Sequence, residues 1–267
     1  MNDHKKYTQA NREAWNEALP KHQAANGDKW DKSFSTPGFS VINEPELSLI
    51  KDLDISGQSI AHVCCNNGVE LMSLKNMGAG KCVGFDISDA AVQEAQKRAT
   101  KFEIDCEFVQ TDIYEIPENY HDTFDIVYIS IGCLGWMPGI KRFFGKIAEL
   151  LNESGQLFIY ESHPFSEMLP ADDVEHEDPM KIIEPYFKED PYIDNDGIDY
   201  IGKTTYPSKT MYWFVWTLSD ILMGIIDNGM KVRHFSEYPD DISTLHGRNQ
   251  DTGPAIPLSY ILIAEKE

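Results

Sequence analysis

Ser59–Ser88 reads SIAHVCCNNGVELMSLKNMGAGKCVGFDIS, and the parsing of this stretch decides the fold. Ser59 to Cys65 is an apolar run of strand length. Asn66, Asn67 and Gly68 supply a tight turn, Val69 to Met77 a helix, and Lys81 to Phe85 a second apolar run that ends on Asp86. A strand, a glycine turn, a helix and a strand closed by an acid form the βαβ layout that cradles nucleotides. The backbone N–H groups of such a turn face a polar ligand group. The acid at the second strand tip is placed to accept hydrogen bonds from ribose hydroxyls.

The rest of the chain extends this rhythm. Tyr7 to Ala18 carries Tyr7, Ala10, Ala14, Trp15 and Ala18 near one helical face, with Pro20 near its end. This helix either packs plainly on the domain or serves as a lid that lays Trp15 over a ligand. Residues 27–44 are polar and rich in Gly and Pro, which predicts a surface segment, and Pro45 to Leu53 predicts a short helix. After Asp86, Ser88 or Asp89 caps a helix striped by Ala91, Val92, Ala95 and Ala99. A third strand, Glu107 to Gln110, ends at Thr111-Asp112-Ile113, again an acid at a strand tip. Phe124 to Ile131 is apolar enough to be covered on both faces. Ile140 to Leu151 is a helix, Asn152 to Gly155 its closing turn, and Gln156 to Tyr160 a fifth strand followed by Glu161-Ser162-His163-Pro164.

From Phe165 to Tyr212 the period is lost. The segment is acidic, carries prolines and is dense in aromatics, which predicts an irregular, ordered cover with a strand pair around Tyr186 and Tyr200. The run Tyr212 to Trp216 (YWFVW) is expected to be mostly core, with Trp136, Tyr206 or Tyr186 available for an apolar acceptor pocket. Thr217 to Asn228 is a capped helix, and Lys231 to Glu237 and Leu258 to Ala264 are the sixth and seventh strands.

Bulk properties narrow the function. The 267 residues, 42% of them hydrophobic, suffice for one large α/β domain with elaborations. A net charge of −21 opposes nucleic-acid backbones and anionic membranes as partners. The five cysteines, Cys64, Cys65, Cys82, Cys106 and Cys133, are odd in number and lack CxxC spacing. They are read as reduced, cytoplasmic and not metal-binding. The start of the chain is too polar for a signal peptide, and no run approaches the ~20 apolar residues of a membrane helix.

The whole order resembles the class I S-adenosylmethionine-dependent methyltransferases. The segments that carry the resemblance are HVCCNNG, GFDIS, VQTDIYEIP, FDIVYISIG and LLNESGQLFIYESHP. Asn11-Arg12-Trp15, Gly132 to Pro138 (GCLGWMP) and Glu161 to Pro164 are similar to a bacterial subgroup of small-molecule methyltransferases. The resemblance implies an α/β, Rossmann-like fold. Its seven-stranded, mostly parallel sheet has an antiparallel last strand, helices on both faces and an irregular aromatic-rich insertion before the sixth strand. Residues 1–44 would form an N-terminal helix and cover, and 45–267 the methyltransferase domain, with 165–216 as a substrate-side insertion.

The resemblance also implies roles. Cys64, Cys65, Asn66, Asn67 and Gly68 would pass under the methionine part of S-adenosylmethionine. Asp86 would hold the ribose, with Ile87 and Ser88 beside it, and Thr111, Asp112 and Ile113 would meet the adenine. Ser130, Ile131 and Gly132 would line the methyl-donor side, and Trp15 would cover the cofactor. The product would be S-adenosylhomocysteine, and the acceptor a small molecule methylated on O, N or C. The turn after the fourth strand, Ser130 to Cys133, lacks the Asn/Asp-Pro-Pro-aromatic pattern common in enzymes that methylate base or protein amides. Methyl transfer needs alignment, and needs a base where the acceptor must lose a proton. His163, past the carboxyl end of strand five, is the candidate base, with Glu161 to orient it or to act itself; a turn-shaping role for His163 stays open. Both a monomer and a homodimer stay open.

The first motif departs from the family pattern. His62 stands where an acid is usual, and Cys64 and Asn66 replace two of three glycines. A catalytically inactive cofactor-binding paralogue therefore remains an alternative reading, as does a nicotinamide dehydrogenase, whose GxGxxG fingerprint is represented here only by Gly68.

Overall fold

The computed structural model describes residues 3–172, 174, 176–252 and 254–267. The expected insertion over 165–212 includes 173 and 175, which lie outside these. The elements run α1 (Asp3–Asn26), α2 (Lys29–Phe34), α3 (Glu46–Asp52), β1 (Ile60–Val63), α4 (Val69–Asn76), β2 (Cys82–Asp86), α5 (Asp89–Lys101), β3 (Glu107–Gln110), β4 (Phe124–Ile129), α6 (Ile140–Leu150), β5 (Leu151–Ser162), β6 (Tyr192–Asp194), β7 (Met211–Trp213), α7 (Leu218–Ile226), β8 (Met230–Tyr238), α8 (Gly247–Thr252) and β9 (Ser259–Lys266).

Seven strands form one sheet in the order β3-β2-β1-β4-β5-β9-β8. The pairs from β3 to β5 are parallel, and β9 inserts antiparallel between β5 and β8. Alternation along the strands makes two cores. Val63, Val127, Ile129, Leu157 and Ile159 face Phe143, Phe144 and Ile147 of α6 and Ile221 and Ile225 of α7. Ile60, Ile126, Tyr128 and Phe158 face Ile50 of α3, Leu71, Met72 and Leu74 of α4, and Val92 and Ala95 of α5. Burial of both faces explains why β1 and β4 read as unbroken apolar runs rather than as alternating ones. Helix starts follow local chemistry. Ser88 Oγ accepts the Ala91 N–H, and Thr217 and Asp220 form a reciprocal capping box at α7.

Five expectations need correction. Helix α1 runs well past Ala18, through Pro20 to Asn26. Ala18, Leu19 and His22 on its later turns are buried, and this packing outweighs the hydrogen bond that Pro20 forfeits. The polar segment 27–44 contains α2, anchored by Phe34 against Phe39 and Phe102. Asn152 to Gly155 is not a separate turn but the irregular start of β5, with Ser154 at φ +63° and a register shift opposite Phe124 and Ile126. The strand pair of the insertion is β6–β7, not one around Tyr186 and Tyr200. The run 212–216 is half-buried throughout rather than core. Among the described residues, no helix is long and apolar enough to cross a membrane.

Candidate active site

The turn after β1 keeps its shape despite the altered sequence. Cys64, Asn66 and Gly68 have φ of +54°, +47° and +74°, so all three glycine positions are left-handed. Such a conformation costs a side-chain-bearing residue about 1–2 kcal/mol, least for Asn. Gly68 has a second reason to be glycine: an added Cβ would stand 2.4 Å from the Phe108 ring. The turn presents the Asn66 N–H to Asp86 Oδ2 at 2.8 Å.

Asp86, at the tip of β2, also accepts the Ser88 N–H on Oδ1 at 2.8 Å. Burial pushes its carboxyl up to about 6, against the pull of the N–H donors of Ser88, Asn66 and Ile87. Ile87 and Ser88 follow directly, and the Thr111 N–H donates to the Asp86 carbonyl at 2.8 Å, which joins the β2 and β3 tips. Asp112 Oδ1 accepts the Tyr114 N–H at 3.0 Å and caps a short turn over Ile113–Glu115. At the β4 tip, Ser130 Oγ lies 3.1 Å from Nε2 of His62. His62 is fully buried, edge-on to Tyr128, and burial drives its imidazole down to about 3, so it is neutral. Beyond it, the Tyr128 hydroxyl donates to the buried Glu46, whose carboxyl is pushed up to about 7 by burial. Ile131 is 37% exposed, and a Cβ added at Gly132 (φ +81°) would meet nothing within 4 Å, so this strand tip borders open space.

Glu161 and His163 are held by separate partners. The Glu161 carboxylate accepts four backbone N–H groups: Gly132 at 2.7 Å and Ser162 at 2.9 Å on Oε1, and Cys133 at 2.9 Å and Leu134 at 3.2 Å on Oε2. It holds the loop after β4 in place, and does not touch His163 through any of these bonds. His163 Nδ1 accepts the Phe165 N–H at 3.0 Å, so the ring proton sits on Nε2, 3.0 Å from Glu237 Oε1 on β8. Burial lowers the imidazole's proton affinity, and the Glu237 charge opposes that. The structure thus groups the expected cofactor residues on the carboxyl edge of β1 to β4 and leaves His163 at the β5–β8 side, with Nδ1 hydrogen-bonded and Nε2 at ion-pair distance from Glu237.

Helix α1 crosses this edge. Arg12 pairs with Asp89 at 2.8 Å, and Asn16 accepts from the Ser88 hydroxyl at 2.7 Å, both at the start of α5. Asn11 exchanges two hydrogen bonds with the Tyr212 backbone, at 2.7 and 3.0 Å. Trp15 packs edge-on against Trp136, with ring centroids 5.4 Å apart, and against Tyr200 of the insertion. Trp136 in turn meets Trp213 at 4.9 Å, where the bare backbone of Gly135 lets the Trp213 ring lie against it. Trp213 Nε1 donates to Glu167 Oε1 at 3.2 Å. Glu167 was not singled out by sequence, since no spacing distinguishes it from the other acids of its segment.

Residues 60–155 match the family model of the methyltransferase domain. The chain superposes on an S-adenosylmethionine-dependent methyltransferase of Mesorhizobium loti with TM-score 0.60 and 19% identity, covering 83% of this chain and 97% of that one. It also superposes on the magnesium protoporphyrin IX methyltransferase of Synechocystis with bound S-adenosylmethionine, with TM-score 0.55 and 14% identity, covering 97% of both. A tRNA U34 carboxymethyltransferase of Campylobacter hominis is 25% identical over 121 residues, which is 43% of this chain. The chain spans only 40% of that relative's length. The fold is therefore that of the class I S-adenosylmethionine-dependent methyltransferases. Within it, residues 60–155 are the part that matches the methyltransferase-domain model.

Proposed function

We propose that the protein transfers a methyl group from S-adenosylmethionine to a small-molecule acceptor. The observation that carries this is the left-handed backbone at Cys64, Asn66 and Gly68, which keeps the cradle of a glycine-rich turn directly beside the Asp86 carboxylate. The residues fit the cofactor. Each Asp86 oxygen spends one lone pair on an N–H and retains capacity for ribose hydroxyls. Cys64, Cys65, Asn66, Asn67 and Gly68 would run under the methionine portion. Ile87, Ser88, Thr111, Asp112 and Ile113 would flank the adenosine, and Ser130, Ile131 and Gly132 the open methyl-donor side, under Trp15. When bound, the cofactor supplies an electrophilic methyl on a sulfonium. The chain's own residues orient the acceptor and exclude water.

Charge and cover support the acceptor class. A net charge of −21 opposes a polynucleotide, and α1 with the aromatic insertion gives the carboxyl edge a compact apolar roof. Titration calorimetry with S-adenosylmethionine, S-adenosylhomocysteine and NADH tests the reading. Micromolar binding of the first two alone is expected; binding of neither sinks it. Binding without turnover over a broad acceptor panel would instead favour an inactive paralogue.

A further inference from the structure

Glu167 is a half-buried carboxylate on the short turn after β5, and no lysine or arginine among the described residues pairs with it. Among the described residues its one hydrogen bond comes from the Trp213 indole. That indole begins an aromatic wall, Trp213 to Trp136 to Trp15, with centroid steps of 4.9 and 5.4 Å, that leads back to the helix over the carboxyl edge. Trp213 lies against Gly135, and the Phe214 N–H donates to the Gly135 carbonyl at 2.7 Å, so Glu167 hangs beside the loop after β4, whose Gly132 and Leu134 N–H groups Glu161 holds. The carboxylate therefore stands on the acceptor side of the proposed methyl donor.

The neighbouring strand shows which ligand chemistry suits this place. Tyr192 pairs in register with Trp213. The Lys188 ammonium lies 4.1 Å from the centroid of the Tyr192 ring and 3.2 Å from Glu184 Oε2. An ammonium between an aromatic face and a carboxylate is thus already stable here. Trp213 and Glu167 set an aromatic ring and a carboxylate side by side one strand over, here joined at the ring edge by the indole N–H, and no ammonium among the described residues pairs with Glu167.

We infer that Glu167 binds the protonated nitrogen of an amine acceptor, with the Trp213–Trp136 wall receiving the acceptor's apolar part. This rests on the methyl transfer proposed above. One ammonium proton passes to the Glu167 carboxylate and frees the nitrogen lone pair. The lone pair forms the new C–N bond as the methyl–sulfur bond breaks, and the sulfur keeps that electron pair as a neutral thioether. The proton on Glu167 then leaves to solvent. Burial pushes this carboxyl up to about 7, against the Trp213 hydrogen bond and with the Glu161 charge adding to the rise, a range suited to taking a proton near neutrality.

The test is a tryptophan-fluorescence titration with 2-phenylethylamine, 2-phenylethanol and 3-phenylpropionate, each with and without S-adenosylhomocysteine. The protein should favour the amine over the alcohol by about tenfold and bind the carboxylate most weakly. Glu167→Gln should erase the amine preference while keeping alcohol binding, S-adenosylhomocysteine affinity and melting temperature. Glu167→Asp, which retains the charge, should keep part of it. An unmodified protein without amine preference, or a Gln variant that retains it, overturns the assignment. So does an O-methylated alcohol, rather than an N-methylated amine, on incubation of the mixture with S-adenosylmethionine. Failure of S-adenosylhomocysteine to bind while the amine preference stands overturns the methyl-transfer reading and leaves the amine site in place.

Discussion

The backbone N–H of Asn66 points at Asp86 Oδ2 from 2.8 Å, so the turn after β1 and the tip of β2 are one unit. Asp86→Asn removes the charge and keeps an acceptor for one of the two N–H groups. Cofactor binding should weaken by about 1.5–3 kcal/mol, the range for hydrogen bonds to a charged acceptor. The parent protein's affinity should also fall as pH drops below about 6, where burial has placed the Asp86 carboxyl. Calorimetry across that range measures both effects; a flat profile with an unchanged variant removes Asp86 from the site.

Cys64→Gly is expected to tighten cofactor binding. The left-handed Cys64 carries about 1–2 kcal/mol of backbone strain, and glycine relieves it while losing about 0.5–1 kcal/mol in chain entropy. Stability should therefore change little, and the backbone gains room to approach the ligand. Weaker binding by the glycine variant would show that the thiol takes part in recognition.

His163→Ala should act on stability. It removes the acceptor of the Phe165 N–H and the partner of Glu237, at a cost of about 1–3 kcal/mol. Denaturant titration reads the loss, and S-adenosylhomocysteine affinity should stay the same. A fully stable variant with impaired turnover would restore His163 as a base.

Glu46 gives a pH signature. Its folded carboxyl sits at about 7 against an ordinary 4.5, so the folded chain holds this proton more tightly than the unfolded one. The associated stability is complete below about 4.5 and is lost as pH rises through 7. Glu46→Gln should therefore match the parent near pH 5 and exceed it near pH 8 by on the order of 2 kcal/mol. Thermal melts at the two values settle the point; an equal difference at both would place the proton elsewhere.

What the sequence made legible depended on repetition. The strands of the sheet announced themselves because a doubly covered strand needs a run of Val, Ile, Leu and Phe. Asp86 and Asp112 could be picked out because each closes such a run. Strands β6 and β7 are three residues each, too short for a period of two to register. Glu161 drew attention as a neighbour of His163, yet three of its four partners are N–H groups nearly thirty residues upstream, which no local pattern encodes. Glu167 depends on a contact with Trp213, 46 positions away, and is invisible for the same reason.

Among its anchors, helix α1 has two that belong to different parts of the molecule. Arg12 and Asn16 hold the first turn of α5, while Asn11 grips the backbone of β7 and Glu17 accepts the Lys209 N–H. It acts as a yoke. One helix thus ties β7 to Ser88, two residues from Asp86, so the insertion cannot move away from the start of α5 without breaking these hydrogen bonds.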